Sequence, residues 1–352
     1  MKIKRTASLI AVACLLSCPL NVFAAKIGIA LTSQNDLRQY KDGPEIKKML
    51  ENAGFEAVLY YGGDSDVPIQ QRQLKRLITN EHCDLLVVAP IDDGSLGDAL
   101  KEAERAKVPV ISYEKLIRGS DAVKYLVSFD SAAVGRIQAE SVVSALNLGM
   151  RNDSVNVEIF AGPGQDSSSQ LIFDGVEEVM SRYLYDGEVI IPSKENDLKN
   201  CGITNWDSEL AMKRMDSLIA KEGYGPKGKK LHAVISASDA ITDGILASLK
   251  RAGFSKQDLP FLTGMDGSVS AVKGIADGER GSSVYRDPRT LHEAVVKMVS
   301  SIVKGETPET NNVAFDGDRE IPAYYCQPVL IDKTNVDEIA KRINADCGAG
   351  GN

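Results

Sequence analysis

Histidine is scarce: His82, His232 and His292 are the only three in 352 residues, too few and too scattered for most zinc or haem sites. No run of basic residues occurs, and the formal charge is -8, which argues against a nucleic-acid surface. The 30 glycines and 13 prolines make about 12% of the chain, which excludes collagen-like and low-complexity structure. Catalytic signatures are missing as well. Strand-like Gly28-Ile29-Ala30-Leu31-Thr32-Ser33 is not GxGxxG, and neither GxxxxGK[ST] nor a GxSxG elbow occurs. Ala161-Gly162-Pro163-Gly164-Gln165 is glycine-rich but lacks the Lys-Ser/Thr that follows a phosphate cradle. No cofactor is expected. What remains, at 43% hydrophobic and 26% charged, is an ordinary globular chain long enough for about two domains.

The first 24 residues read as a secretory signal. Lys2, Lys4 and Arg5 precede an apolar run from Ala7 to Leu16, and Val22-Phe23-Ala24 fits a small-residue cleavage site. That run is too short to span a hydrocarbon layer of about 30 Å. Removing three positive charges and no acids takes the charge from -8 to -11. The alternative is a lipid-anchored form through Cys18, after Leu15-Leu16-Ser17. Of six cysteines, Cys83, Cys201, Cys326 and Cys347 lie beyond the signal. Cys83 opens the apolar run Leu85–Val88 and reads as a buried thiol; four cysteines allow three full disulfide pairings, Cys326 with Cys347 among them.

Beyond the signal, β-rich runs alternate with amphipathic windows. Strands are expected at Lys26–Leu31, Val58–Tyr61, Leu85–Ala89 and Val108–Ser112, then at Tyr125–Phe129. A second series follows at Val155–Phe160, Val189–Ile191, Ala233–Ser236 and Phe261–Thr263, with late strands at Ser282–Tyr285 and Pro322–Val329. Near-continuous apolar strands spaced by helices point to parallel sheets covered on both faces. The fold class is α/β: two consecutive sheets of similar size imply two similar lobes, with the late segments returning the chain across a hinge.

Ligands of open parallel sheets bind beyond the carboxyl ends of the strands. The polar residues there are Arg38, Asp92, Asp93, Glu114, Lys115, Gln165 to Ser169, Trp206, Asp239, Asp266 and Arg286. A carboxylate accepts two hydroxyl groups side by side, and Arg donates in a planar fork. A flat ring can cover the CH face of a sugar. These residues together suit a polyol. Each also has a plainer reading: Asp93 and Asp239 suit helix N-caps, Arg38 a solvated charge, Trp206 packing and Asp266 a turn.

The segments Ile111-Ser112-Tyr113-Glu114-Lys115-Leu116-Ile117-Arg118, Val127-Ser128-Phe129-Asp130, Asn205-Trp206-Asp207, Gly264-Met265-Asp266-Gly267, Val284-Tyr285-Arg286-Asp287 and Arg319–Tyr324 carry a family resemblance. From about residue 26 to 335 the chain resembles the periplasmic type I sugar-binding proteins of ABC transporters, the xylose-binding and multiple-monosaccharide-binding kinds above all. The resemblance implies two Rossmann-like lobes joined by a three-strand hinge, the first of 26–115 plus 285–308 and the second of 116–284 plus 309–345. The bend is expected near 115–120, 264–266 and 284–287.

It also implies a monosaccharide held by Arg38, Asp92, Lys115, Ser168, Trp206, Asp239, Asp266 and Arg286. Trp206 would stack on the sugar, and Asp239 and Asp266 would grip its hydroxyls. The partners implied are a membrane permease of an ABC transporter, or alternatively a sensor kinase or chemoreceptor; the protein would be a periplasmic monomer, not an enzyme. Several positions depart from the family pattern. Gln39 replaces a second aromatic, Glu114-Lys115 stands for Asp-Arg, Ser167-Ser168 for an Asn pair and Arg286 for Lys. The sugar itself is left open.

Overall fold

The computed structural model describes residues 24–33, 37–63 and 66–348, with the side chains of 37–40 and 344–348 outside the description. The expected signal up to residue 23, Cys18 included, lies outside the described residues.

The chain opens with β1 (Lys26–Leu31), α1 (Leu37–Asn52), β2 (Glu56–Tyr61), α2 (Val67–Thr79), β3 (Leu85–Val88), α3 (Gly97–Ala106), β4 (Val110–Tyr113) and β5 (Val123–Phe129). Next come α4 (Ser131–Leu146), β6 (Val155–Phe160), α5 (Ser167–Tyr185), β7 (Val189–Ile190), α6 (Leu198–Cys201), a 3-10 turn (Thr204–Trp206) and α7 (Ser208–Glu222). After these lie β8 (Ala233–Ser236), α8 (Asp239–Arg251), β9 (Phe261–Leu262), α9 (Val269–Ala276) and β10 (Ser283–Tyr285). The chain ends with α10 (Pro288–Val303), β11 (Asn312–Phe315), β12 (Glu320–Cys326), β13 (Val329–Ile331) and α11 (Val336–Gly348).

The first lobe is built on a seven-stranded sheet in the order β11-β12-β5-β4-β3-β1-β2, parallel except for the β11 edge. Ile27, Ile29 and Val87 bury one face under α1 and α10, while Leu86, Val88 and Ala30 bury the other under α2 and α3. Strands covered on both sides have no solvent face to alternate toward, hence their unbroken apolar runs. The second lobe holds the parallel sheet β7-β6-β8-β9, which β10 extends through the Met265–Val284 bridge, and β10 pairs with β13. Helices α4 and α5 cover one face, α7 and α8 the other. α4 and α5 approach backbone to backbone because Gly135 sits on the Ile172 carbonyl and Gly175 on the Ala132 carbonyl, with no room for a Cβ at either.

Strand pairing draws the lobe boundary differently from the sequence expectation. Segments 116–129 and 309–326 were expected in the second lobe, yet β5 and β11–β12 belong to the first sheet. Parallel neighbours are usually joined by a helix. β4 and β5 are joined by the helix-free loop 114–122, which therefore reads as a join between lobes. The expected strand Pro322–Val329 is two strands in different sheets. Pro328 has no N–H to donate to a ladder, and pairing with β5 stops at Cys326. The sheets are also unequal rather than similar in size.

The chain crosses between lobes at β5–α4, at β10–α10 and at β12–β13. Only the 284–287 part of the expected hinge coincides with a crossing. Residues 115–120 lie inside the first lobe and 264–266 inside the second. Two crossings are tied together, since the Asp130 N–H donates to the Cys326 carbonyl at 3.3 Å.

Candidate functional site

A cavity of about 710 Å³ lies between the carboxyl ends of the two sheets. Its first wall comes from the ends of β1, β3, β4 and β5, including Pro90-Ile91, Tyr113-Glu114-Lys115 and Ser128-Phe129. The second comes from the loops after β6, β8, β9 and β10, including Asp166, Ser168, Ser238, Asp266 and Arg286, with Trp206 from the 3-10 turn. The strand order of both sheets reverses here, between β1 and β3 and between β6 and β8, which is where open α/β sheets form crevices.

Of the eight residues expected to bind, five line this cavity: Lys115, Ser168, Trp206, Asp266 and Arg286. Arg38 lies in the first turn of α1 and its side chain is outside the description. Asp92 is not in the wall, because its Oδ1 caps a turn by accepting the Gly94 N–H at 2.9 Å. Its neighbour Asp93 pairs with Arg118 at 3.2 Å rather than capping a helix. Asp239 sits between the lining residues Ser238 and Ala240, but its carboxylate is 3% exposed and turned into the lobe. There it accepts the Ser268 N–H at 2.7 Å and the Ser283 hydroxyl at 2.8 Å, while Ser238 caps α8. Asp239 and Asp266 are thus not a matched pair of grips in this structure. Burial, with the like charge of Asp266 nearby, pushes the Asp239 carboxyl up to about 7 against the pull of these hydrogen bonds and Arg280.

Local chain geometry aims the lining residues. Among the described residues, eight non-glycine positions have positive φ, and Glu114 (63°), Trp206 (57°) and Asp266 (105°) are three of them. Such backbone strain, about 1–3 kcal/mol each, persists where surrounding contacts hold it, and it gathers at binding sites. Here those contacts are specific. The Ser112 and Ser128 hydroxyls donate to the Lys115 and Glu114 carbonyls, which rigidifies the tip after β4. Asn205, also left-handed at 55°, and Trp206 turn the chain so that the indole lies on Gly162. A Cβ at Gly162 would collide with the ring, so the glycine-rich Ala161–Gly164 stretch serves as the seat of the indole.

Asp266 accepts a charge-assisted hydrogen bond from Arg286 Nη2, and the guanidinium lies 5.8 Å from the Phe129 ring centre across the hinge. Ser168 donates to the α5 cap Asp166 at 2.6 Å, which leaves its oxygen as an acceptor. The described charged side chains of the wall are Lys41, Lys115 and Arg286 against Glu114, Asp166 and Asp266, a balance suited to a neutral polar ligand.

Sequence reading looked only for polar strand ends and so missed Tyr113, Phe129 and Tyr285, apolar-bodied residues at those same ends. Lys41 on α1 and Ile343 on α11 come from helices and carried no such signal. Tyr113 also donates to the buried Asp42 at 3.0 Å, which ties β4 to α1. Gln70, fully buried, holds the β3 end by bonding Ala89 O at 2.7 Å and Ile91 N at 3.0 Å. Among the described residues no group of three His, Cys, Asp or Glu could hold a metal. Cys83 is buried as expected, its thiol pushed up to about 12; Cys201 and Cys326 are also buried free thiols, and the side chain of Cys347 lies outside the description.

Residues 27–307 match the model of a periplasmic binding protein domain family. The multiple sugar-binding periplasmic receptor ChvE of Rhizobium radiobacter is 36% identical over 317 residues, 89% of this chain and 88% of that one. The D-xylose-binding periplasmic protein of Escherichia coli K12 is 24% identical over 313 residues, with the same coverage of both chains. Among solved structures, an ABC transporter solute-binding protein from Clostridium phytofermentans with bound β-D-glucose superposes with a TM-score of 0.78 at 34% identity, covering 89% of this chain and 96% of its own. With two Rossmann-like lobes, three crossings and a cleft where both strand orders reverse, the chain belongs to the periplasmic binding protein family.

Proposed function

We propose that this protein is a non-catalytic receptor that captures a monosaccharide in the interlobe cleft and delivers it to the membrane permease of an ABC importer. The observation that carries this reading is the opposition, across one cavity, of an indole seated on Gly162 and a carboxylate–guanidinium pair against the rigid Glu114-Lys115 tip. An aromatic face packs against the CH side of a pyranose, and ionised acceptors and donors take its hydroxyls. The ring would sit between Trp206 and Phe129, with Asp266, Arg286, Lys115 and Ser168 around its edge. Arg38, three residues before the lining Lys41 on α1, would complete the set. Sugar-binding relatives of this length support the reading. We further infer that residues 1–24 direct export and that the receptor works in the periplasm as a monomer.

A panel of D-glucose, D-galactose, D-xylose and L-arabinose tests the reading. A ligand bound by the native state alone raises the melting temperature by mass action. At least one sugar should do so at millimolar concentration and be recovered chemically unchanged. No shift with any pentose or hexose, or turnover of the bound sugar, would contradict it.

A further inference from the structure

Beneath the cleft wall lies a charge that the sugar cannot touch. Arg280 follows α9, and its side chain is 1% exposed. Its stem is pressed under α9, where a Cβ at Gly274 would stand 3.0 Å from Arg280 Cγ and Cδ. The guanidinium reaches α8. Nη2 binds Asp243, and Nη1 stands 3.9 Å from Asp239 Oδ1. Nε and Nη1 have no hydrogen-bond partner. A buried guanidinium with open donors is costly unless a nearby anion compensates it.

Asp243, 43% exposed, takes Nη2, while Asp239 is the buried anion that faces Nη1, and the cleft loop is wrapped around it. Its backbone N–H donates to Met265 O at 2.9 Å, Oδ2 takes the Ser268 N–H, and Oδ1 takes the Ser283 hydroxyl, which itself accepts the Gly267 N–H at 3.3 Å. Residues on both sides of Asp266 are therefore fastened to Asp239, Met265 through its backbone N–H and Gly267-Ser268 through its carboxylate, and Asp266 itself keeps a φ of 105°. We propose that Arg280 is a positioning residue for ligand capture: it anchors Asp239, and Asp239 in turn fixes the 264–268 loop that presents Asp266 to the cleft. This rests on the reading of Asp266 as a cleft ligand.

The charged groups around Asp239 are Asp266 on the loop after β9, Arg280 after α9 and Asp243 one turn along α8. Burial and Asp266 favour a proton on Asp239; Arg280 opposes it. A proton on either oxygen blocks an acceptor that the loop uses. Losing Arg280 should let that proton stay on at higher pH.

Calorimetric titration of D-glucose, or of a tighter-binding sugar from the panel, between pH 5.5 and 9.5 tests this. Wild-type affinity should fall as the pH drops through about 7. Arg280→Gln should bind roughly tenfold more weakly at pH 7, because removing a nearby opposite charge raises a carboxyl by about a unit or more and keeps Asp239 protonated there, and recover by pH 9. Arg280→Lys should keep the wild-type profile. Wild-type affinity from Arg280→Gln at every pH overturns the proposal, as does an equal loss at every pH that Lys does not repair. Should Arg280→Gln not fold, the isosteric Asp239→Asn carries the test: loss of the step near pH 7 supports the proposal and its persistence overturns it. A wild type that binds no sugar, or an Asp266→Asn variant of unchanged affinity, sinks the cleft reading itself and this inference with it.

Discussion

At the scale of single residues, the two aspartates expected to act alike have opposite surroundings. Asp266 is 45% exposed at the cleft and paired with Arg286, whereas Asp239 is buried and spent on the loop behind it. Asp266→Asn keeps the volume and loses the charged acceptor. Hydrogen bonds to charged groups are worth roughly 1.5–3 kcal/mol, so sugar affinity by calorimetry should fall about tenfold or more. Unchanged affinity in a normally folded variant would make Asp266 a turn residue. Asp239 should show itself in the stability of the unliganded protein. Its native-state value, about 7, lies above the ordinary 3.8, so the native state holds this proton more tightly than the unfolded chain does. Its ionisation therefore costs stability progressively between about pH 4 and pH 7, and the cost is complete above that window. The melting temperature of Asp239→Asn relative to wild type should rise from pH 5 to pH 8; a difference independent of pH would contradict the assignment.

At the scale of elements, most strands and helices were legible because burial on both faces writes itself as apolar runs with turn residues between. Two departures have physical causes. Proline favours the first turn of a helix and is disfavoured in its interior, yet α1 begins at Leu37 and runs through Pro44. β4 and β5 lack the helix that normally joins parallel neighbours, so β5 was placed in the wrong lobe. The cleft was legible in the same measure: strand ends revealed Lys115, Ser168, Trp206, Asp266 and Arg286, while side-chain direction, which decided Asp92 and Asp239, has no sequence signal. The glycine contacts of α4 with α5 were equally silent. Gly135→Ala would drive a methyl into the Ile172 carbonyl, and overpacking of this kind costs typically about 1–3 kcal/mol. Urea unfolding should show that loss despite the better helix propensity of alanine. A variant as stable as wild type would mean that the helices separate freely.

At the scale of the whole molecule, three crossings join two lobes, and the cleft lies between them. Hinge closure around a ligand is the motion this connection permits. Small-angle scattering should report a smaller radius of gyration with saturating sugar, and identical curves would contradict closure. The central claim, that a monosaccharide sits in this cleft against the indole, is open to a more direct check because Trp206 is the only tryptophan in the chain. Sugar from the panel is titrated into the wild type while intrinsic emission is followed. A saturable change in intensity or wavelength, with its midpoint at the calorimetric affinity, is the predicted result. Binding detected by calorimetry with emission unchanged throughout would place the sugar elsewhere and contradict the assignment of this cleft.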